Sequence, residues 1–96
     1  MSYWRLFYHL VWATRNREPL ISDEAWAIVN RSFKLTSEDV GIVAHAIGFM
    51  PDHVHLSVSI PPTVAITDAV RRLKGASSHG VGRALPNAGF GWQDGY

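Results

Sequence analysis

Residues 53–60, HVHLSVSI, alternate between polar and apolar side chains without a break. Val54, Leu56, Val58 and Ile60 fall on one side, and His53, His55, Ser57 and Ser59 on the other. A repeat of two is the signature of a half-buried strand. Pro51 and Asp52 make a turn before it, and Pro61 and Pro62 end it. A strand with one apolar face must be flanked by other strands and covered on that face. The remaining segments therefore have to supply a sheet and a layer over it, and two histidines must share the opposite side.

The flanking segments meet that demand. Residues 3–14, YWRLFYHLVWAT, are rich in aromatic and β-branched types and predict a long first strand. Its even positions Trp4, Leu6, Tyr8, Leu10 and Trp12 form an apolar face; Tyr3, Arg5, Phe7, His9 and Val11 form a mixed one. RNREP (15–19) breaks it. Ser22 predicts a helix N-cap, with Asp23 and Glu24 in the first turn and Arg31 and Lys34 nearer the end, an order that suits the helix dipole. Trp26, Val29 and Phe33 give this helix its apolar stripe, and Glu38 and Asp39 close it. Residues 40–50, VGIVAHAIGFM, are almost continuously apolar and predict a strand covered on both faces, with His45 a hydrogen-bonded core residue. Thr67 predicts the N-cap of a second helix bearing Val70, Leu73 and Ser77. Gly80 and Gly82 are its expected stops, and Gly75 is an unexplained interior glycine. GFGWQDGY (89–96) reads as the start of a fourth strand. The order predicts an α+β, ferredoxin-like βαββα(β) fold, an antiparallel sheet with two helices on one face. That plan hosts many unrelated functions.

Ninety-six residues allow one domain, 1–96, and a formal charge of +1 neither requires nor excludes nucleic acid. The absence of cysteine removes disulfides, thiolate metal sites and cysteine nucleophiles. No apolar run reaches membrane-spanning length and no signal peptide is evident, so a cytoplasmic protein without a membrane partner is expected.

Two imidazoles two residues apart on a strand have Cβ atoms roughly 6–7 Å apart and can share one metal ion. On spacing alone, two surface histidines are the simpler reading, because a metal needs further ligands. The surroundings add to the pair. MPDHVHLSVSIPP (50–62) follows YHLVWATRNREPL (8–20) and precedes RRLKGASS (71–78) and WQDGY (92–96). In that order these blocks resemble the single-tyrosine transposases of small insertion sequences and their repeat-associated relatives, within the histidine-hydrophobic-histidine nucleases. The resemblance implies that His53 and His55 bind a divalent metal, Mg or Mn, which polarises a phosphate of single-stranded or hairpin DNA. It also implies a tyrosine nucleophile that forms a 5′-phosphotyrosine, and dimerisation.

In the family that tyrosine, and a polar residue completing the metal shell, lie on a further helix beyond the WQDGY strand. Residues 1–96 stop within the strand block, so no strand transfer is expected from them alone. An incomplete last strand would also leave an edge open to a second copy, and a homodimer is expected. Tyr96 as a catalytic tyrosine, or a non-enzymatic dimerisation module of the same fold, are the competing readings. The resemblance gives Arg71, Arg72 and Lys74 on the second helix a role in DNA contact, with a solvated helix face as the alternative. Arg83 extends that stripe if the helix passes Gly80. Arg15 and Arg17 offer a basic loop, and His79 reads as a surface residue. His9 can approach the metal side if the first strand pairs with the histidine strand, although a partly buried structural histidine is favoured. Trp92 is expected in the core.

Overall fold

The computed structural model describes residues 6–94; Tyr3, Trp4, Arg5 and Tyr96 lie outside that range. Strand β1 (Leu6–Ala13) leads through a 3-10 turn at Arg15–Arg17 to helix α1 (Asp23–Val40). Strands β2 (Val43–Met50) and β3 (His53–Ile60) form a hairpin, and helix α2 (Ile66–Ala84) follows. The sheet order is β1-β3-β2, antiparallel throughout. The alternating strand is thus the central one. A fourth strand begins beside β1 as a single antiparallel bridge, Thr14 to Trp92. There the Arg15 N–H donates to Gly91 O and the Gln93 N–H to Ala13 O, each at 2.9 Å. This is the ferredoxin-like plan expected from the order of elements.

The core lies between one sheet face and the two helices. Val54, Leu56, Val58 and Ile60 of β3 meet Val29 and Phe33 of α1 and Val70, Leu73 and Val81 of α2, all buried. Trp12 and Trp92 close one end, 6.0 Å apart and edge to face, with Phe33 against both. The Trp92 indole N–H donates to Ser77 Oγ at 2.9 Å, which gives its polar edge a partner inside the core.

Helix α1 starts as expected. Ser22 Oγ accepts from the Ala25 N–H at 3.1 Å. It runs through Glu38 and Asp39 and stops at Gly41, whose left-handed φ of 79° lets the Ile42 N–H reach back to Ser37 O at 2.8 Å.

Three local expectations are corrected. Helix α2 begins one residue past Ala65, so Thr67 lies inside its first turn and caps nothing. It also runs through Gly80 and Gly82 to Ala84. Gly80 serves close packing instead: a Cβ there would lie 3.1 Å from Ser32 Oγ and 3.2 Å from Ile28 Cγ2 on α1. Gly80→Ala should therefore lower the unfolding midpoint despite alanine's better helix propensity. Gly75→Ala, with no atom within 4 Å of a Cβ, should raise stability by about 1 kcal/mol; urea titration of both variants checks the opposite signs.

Strand β2 is the third correction. It lies at the sheet edge with only one face covered, because both helices pack on the other side of the sheet from Val43, Ala46 and Met50, which are exposed. Continuous apolar composition does not distinguish that case from full burial. His45 is the extra residue of a bulge between Ala44 and Ala46. It is exposed rather than in the core, though still hydrogen-bonded, sharing a 2.6 Å bond with Ser59 Oγ.

Candidate metal and nucleic-acid surfaces

The pleat of β3 carries His53 and His55 to the face that no described helix covers. Their rings stand 4.6 Å apart, centre to centre, at 71°. β1 pairs with β3 so that Val11 lies opposite His55 and His9 opposite Ser57. His9 is exposed, with its ring 5.8 Å from that of His55. The favoured expectation of a partly buried structural histidine at that position is corrected. The conditional one, that strand pairing brings His9 to the histidine side, is met.

Asp52 organises the pair. Its Oδ1 lies 2.7 Å from His53 Nδ1, and Arg17 reaches its Oδ2 at 3.3 Å. The hydrogen bond from His53, more than the charge of Arg17, holds the Asp52 carboxyl below its usual range. An ionised carboxylate only accepts, so His53 Nδ1 carries the hydrogen, and in the neutral ring the lone pair falls on Nε2. That tautomer is the one a metal-binding histidine needs, with a carboxylate behind the ring to fix it. Adjacency of Asp52 to His53 was the available sequence signal, and the turn position hid it. Thr14 anchors the turn, its N–H donating to Asp52 O at 2.9 Å and its hydroxyl to Glu18 O at 2.5 Å.

Among the described residues no group of three His, Cys, Asp or Glu side chains is placed to enclose a metal ion. The histidine pair with its oriented nitrogen fits two positions of a coordination shell, leaving the others to water or phosphate oxygen.

The cations lie elsewhere. Arg71, Lys74, Gly75, Ser78 and His79 of α2 line a groove of about 730 Å³ against residues 90–94. Arg71 pairs with Asp68 at 3.2 Å on the surface. Lys74 Nζ donates to Gln93 O at 2.5 Å, and burial lowers its pKa, against the opposing pull of Asp94. Arg72 faces away from this groove and pairs with Asp39 of α1. Arg83 is exposed in the last turn of α2 and does not line the groove. Arg15 is not a loose loop residue: its guanidinium donates to Gly89 O at 2.6 Å and packs over Gly91. Trp92 is in the core as expected, 8% exposed. The structure thus brings Arg71, Lys74 and His79 together, and separately His9, His53 and His55.

A family profile described as "Transposase IS200 like" matches residues 2–96. The chain belongs to the IS200-like transposase family. Among IS200-like relatives, the ISDra2 transposase TnpA of Deinococcus radiodurans is 34% identical over 83 residues, covering 86% of this chain and 59% of that protein. A crystal structure of a Deinococcus radiodurans R1 protein assigned as a transposase superposes with a TM-score of 0.82 at 34% identity, covering 88% of this chain and 65% of the other. A REP-associated tyrosine transposase bound to a REP hairpin shares the fold, with a TM-score of 0.71 at 18% identity over 99% of this chain and 56% of that one. The IS200-like chain described here therefore spans somewhat under two thirds of the length of these relatives. No helix among the described residues is long and apolar enough to cross a membrane.

Proposed function

We propose that this IS200-like chain binds single-stranded, hairpin-forming DNA and a divalent metal, Mg or Mn, as the binding part of a transposase. The observation that carries the reading is the His53–His55 pair on an open sheet face with Asp52 fixing the His53 tautomer. His53 and His55 would hold the ion through ring nitrogens. When bound, the ion supplies Lewis acidity to a phosphate oxygen. Imidazole ligands suit Mn somewhat better than Mg. The groove of α2 supplies cations for a phosphate backbone, and the hairpin seen with the REP-associated relative supports a DNA partner of that shape.

The reading is of binding without cutting for residues 1–96. Tyr8, the tyrosine among the described residues, packs against the core on the helix-covered side and away from the histidines. A homodimer belongs to the same reading, since the outer edge of β2 has no strand partner among the described residues.

The test incubates the 96-residue protein with manganese and tailed hairpin oligonucleotides. The expected result is binding that weakens steeply with salt as condensed counterions are released, and no covalent adduct on a denaturing gel. Arg71→Ala should reduce the salt slope by about one, because one phosphate contact is lost. Its Asp68 partner is a surface ion pair of little weight, so the fold should stand. Light scattering of the protein without DNA should report twice the chain mass. An adduct abolished by Tyr96→Phe would replace this reading with catalysis by Tyr96. Absence of both metal and DNA binding would leave only an interaction module.

A further inference from the structure

The open sheet face carries a second feature, at the end away from His53. Phe7 on β1 and Ser59 on β3 are directly opposite. From the other side, the β2 bulge brings His45 over the same serine. The Phe7 and His45 rings stack at 5.5 Å and 29°. Ser59, itself buried, holds the His45 ring by the 2.6 Å hydrogen bond. Phe7 remains 75% exposed. A phenylalanine so exposed in a sheet contributes little to the core, and the bulge re-aims a side chain onto it, a common device beside functional sites.

The surface between this stack and the histidine pair is low. Ser57 and Ala46 lie side by side in the intervening row, with His9 at its border. From His55 to Ser59 is four residues along the strand, about 13 Å, a span that a few stretched nucleotides cover. A single strand with a phosphate at His55 can run along this lane and bring an unpaired base to Phe7.

We propose that Phe7, backed by His45, is a stacking platform for an unpaired nucleobase flanking the phosphate held at His53 and His55. The inference rests on the DNA-binding reading above and adds a subsite to it. Every base has a π-face, so the platform grips without choosing sequence. His45 fixes the Phe7 ring in advance, which lowers the ordering cost of binding.

The experiment uses the 96-residue protein with manganese and hairpins whose single-stranded tail carries a fluorescent adenine analogue at successive positions. One tail position should show strong quenching by stacking. Phe7→Ala should abolish that quenching and weaken tailed-hairpin binding about tenfold, with metal affinity and blunt-hairpin binding unchanged. Phe7→Leu should behave as Phe7→Ala because the ring is lost, and Phe7→Trp should retain quenching. The exposure of Phe7 keeps these variants folded, which circular dichroism checks. Tailed-hairpin binding and quenching unaltered in Phe7→Ala would overturn the platform while leaving the DNA-binding reading intact. So would a dimer that becomes monomeric in Phe7→Ala, since a second copy would then cover the ring. A wild-type protein that binds no tailed hairpin would overturn the DNA-binding reading itself.

Discussion

His55→Ala should reduce manganese affinity by more than about a hundredfold, with His53→Ala matching it, while urea unfolding stays cooperative and near the wild-type midpoint. Both side chains lie on the open face and are only half-buried, so truncating them leaves no cavity in the packed layer. What is lost is a donor atom from a pair that no third carboxylate or histidine among the described residues joins in a metal-enclosing group. A shell with two protein nitrogens loses half of them at a stroke. Asp52→Asn should cost less, about 10–100-fold, the usual effect of removing the group that orients a ligand. The amide can still meet His53 Nδ1–H through its oxygen but no longer carries the charge that favours this tautomer. Isothermal titration with manganese separates these cases. Equal affinity in wild type and His55→Ala would remove the metal from the proposed function.

Phe33→Ala should be the most damaging core substitution. Its ring is fully buried, meets Trp12 edge to face at 5.6 Å and lies parallel to Trp92 at 6.4 Å. Emptying such a site costs about 3–5 kcal/mol. A domain of this size has roughly 5–14 kcal/mol of total stability. The loss should fall first on residues 90–94, because Trp92 joins β1 through one bridge and otherwise depends on ring packing and its bond to Ser77. Urea denaturation followed by tryptophan fluorescence should show a lower midpoint and a separate early change from Trp92. A midpoint within 1 kcal/mol of wild type would contradict this packing account.

The legible parts of the fold are those where a local pattern has one physical solution. The alternation of β3 fixed which residues are core and which face outward, and Ser22 marked a helix start through its own side-chain oxygen. The histidine pair was legible for the same reason, since strand pleating leaves it no other arrangement. What stayed hidden depends on contacts between segments distant in sequence. Gly80 looks like a helix stop until Ser32 and Ile28 of α1 are placed against it. The apolar run of β2 reads as doubly buried until the sheet order makes it an edge. His45 follows from a bulge, which inserts one residue with no mark in composition. Arg15, Arg71 and Arg72 are alike as letters; only the fold separates a clasp on residues 89–91, a groove wall and a bridge to α1. Asp52 was visible as a neighbour of His53, but its hydrogen bond, and the anchoring of its turn by Thr14 and Arg17, needed three dimensions.

The extra residue in β2 also sets the phase of the hairpin. Val43 and Met50 are an odd number of positions apart, yet both lie on the open side, opposite Ser59 and His53 respectively. In an unbroken strand they would face opposite ways. His45 absorbs the half-period, so Ala44 can look inward at one end of β2 while Ile47 and Phe49 look inward at the other. Deleting His45 would close the bulge and leave an unbroken two-residue beat that keeps Ala44, Ile47 and Phe49 inward and Val43 and Met50 outward. What the deletion would remove is the imidazole that stacks on Phe7 and bonds to Ser59, with the inward face of β2 unchanged. β2 is thus a strand in two segments of opposite parity, and its added length serves the open face and not the core.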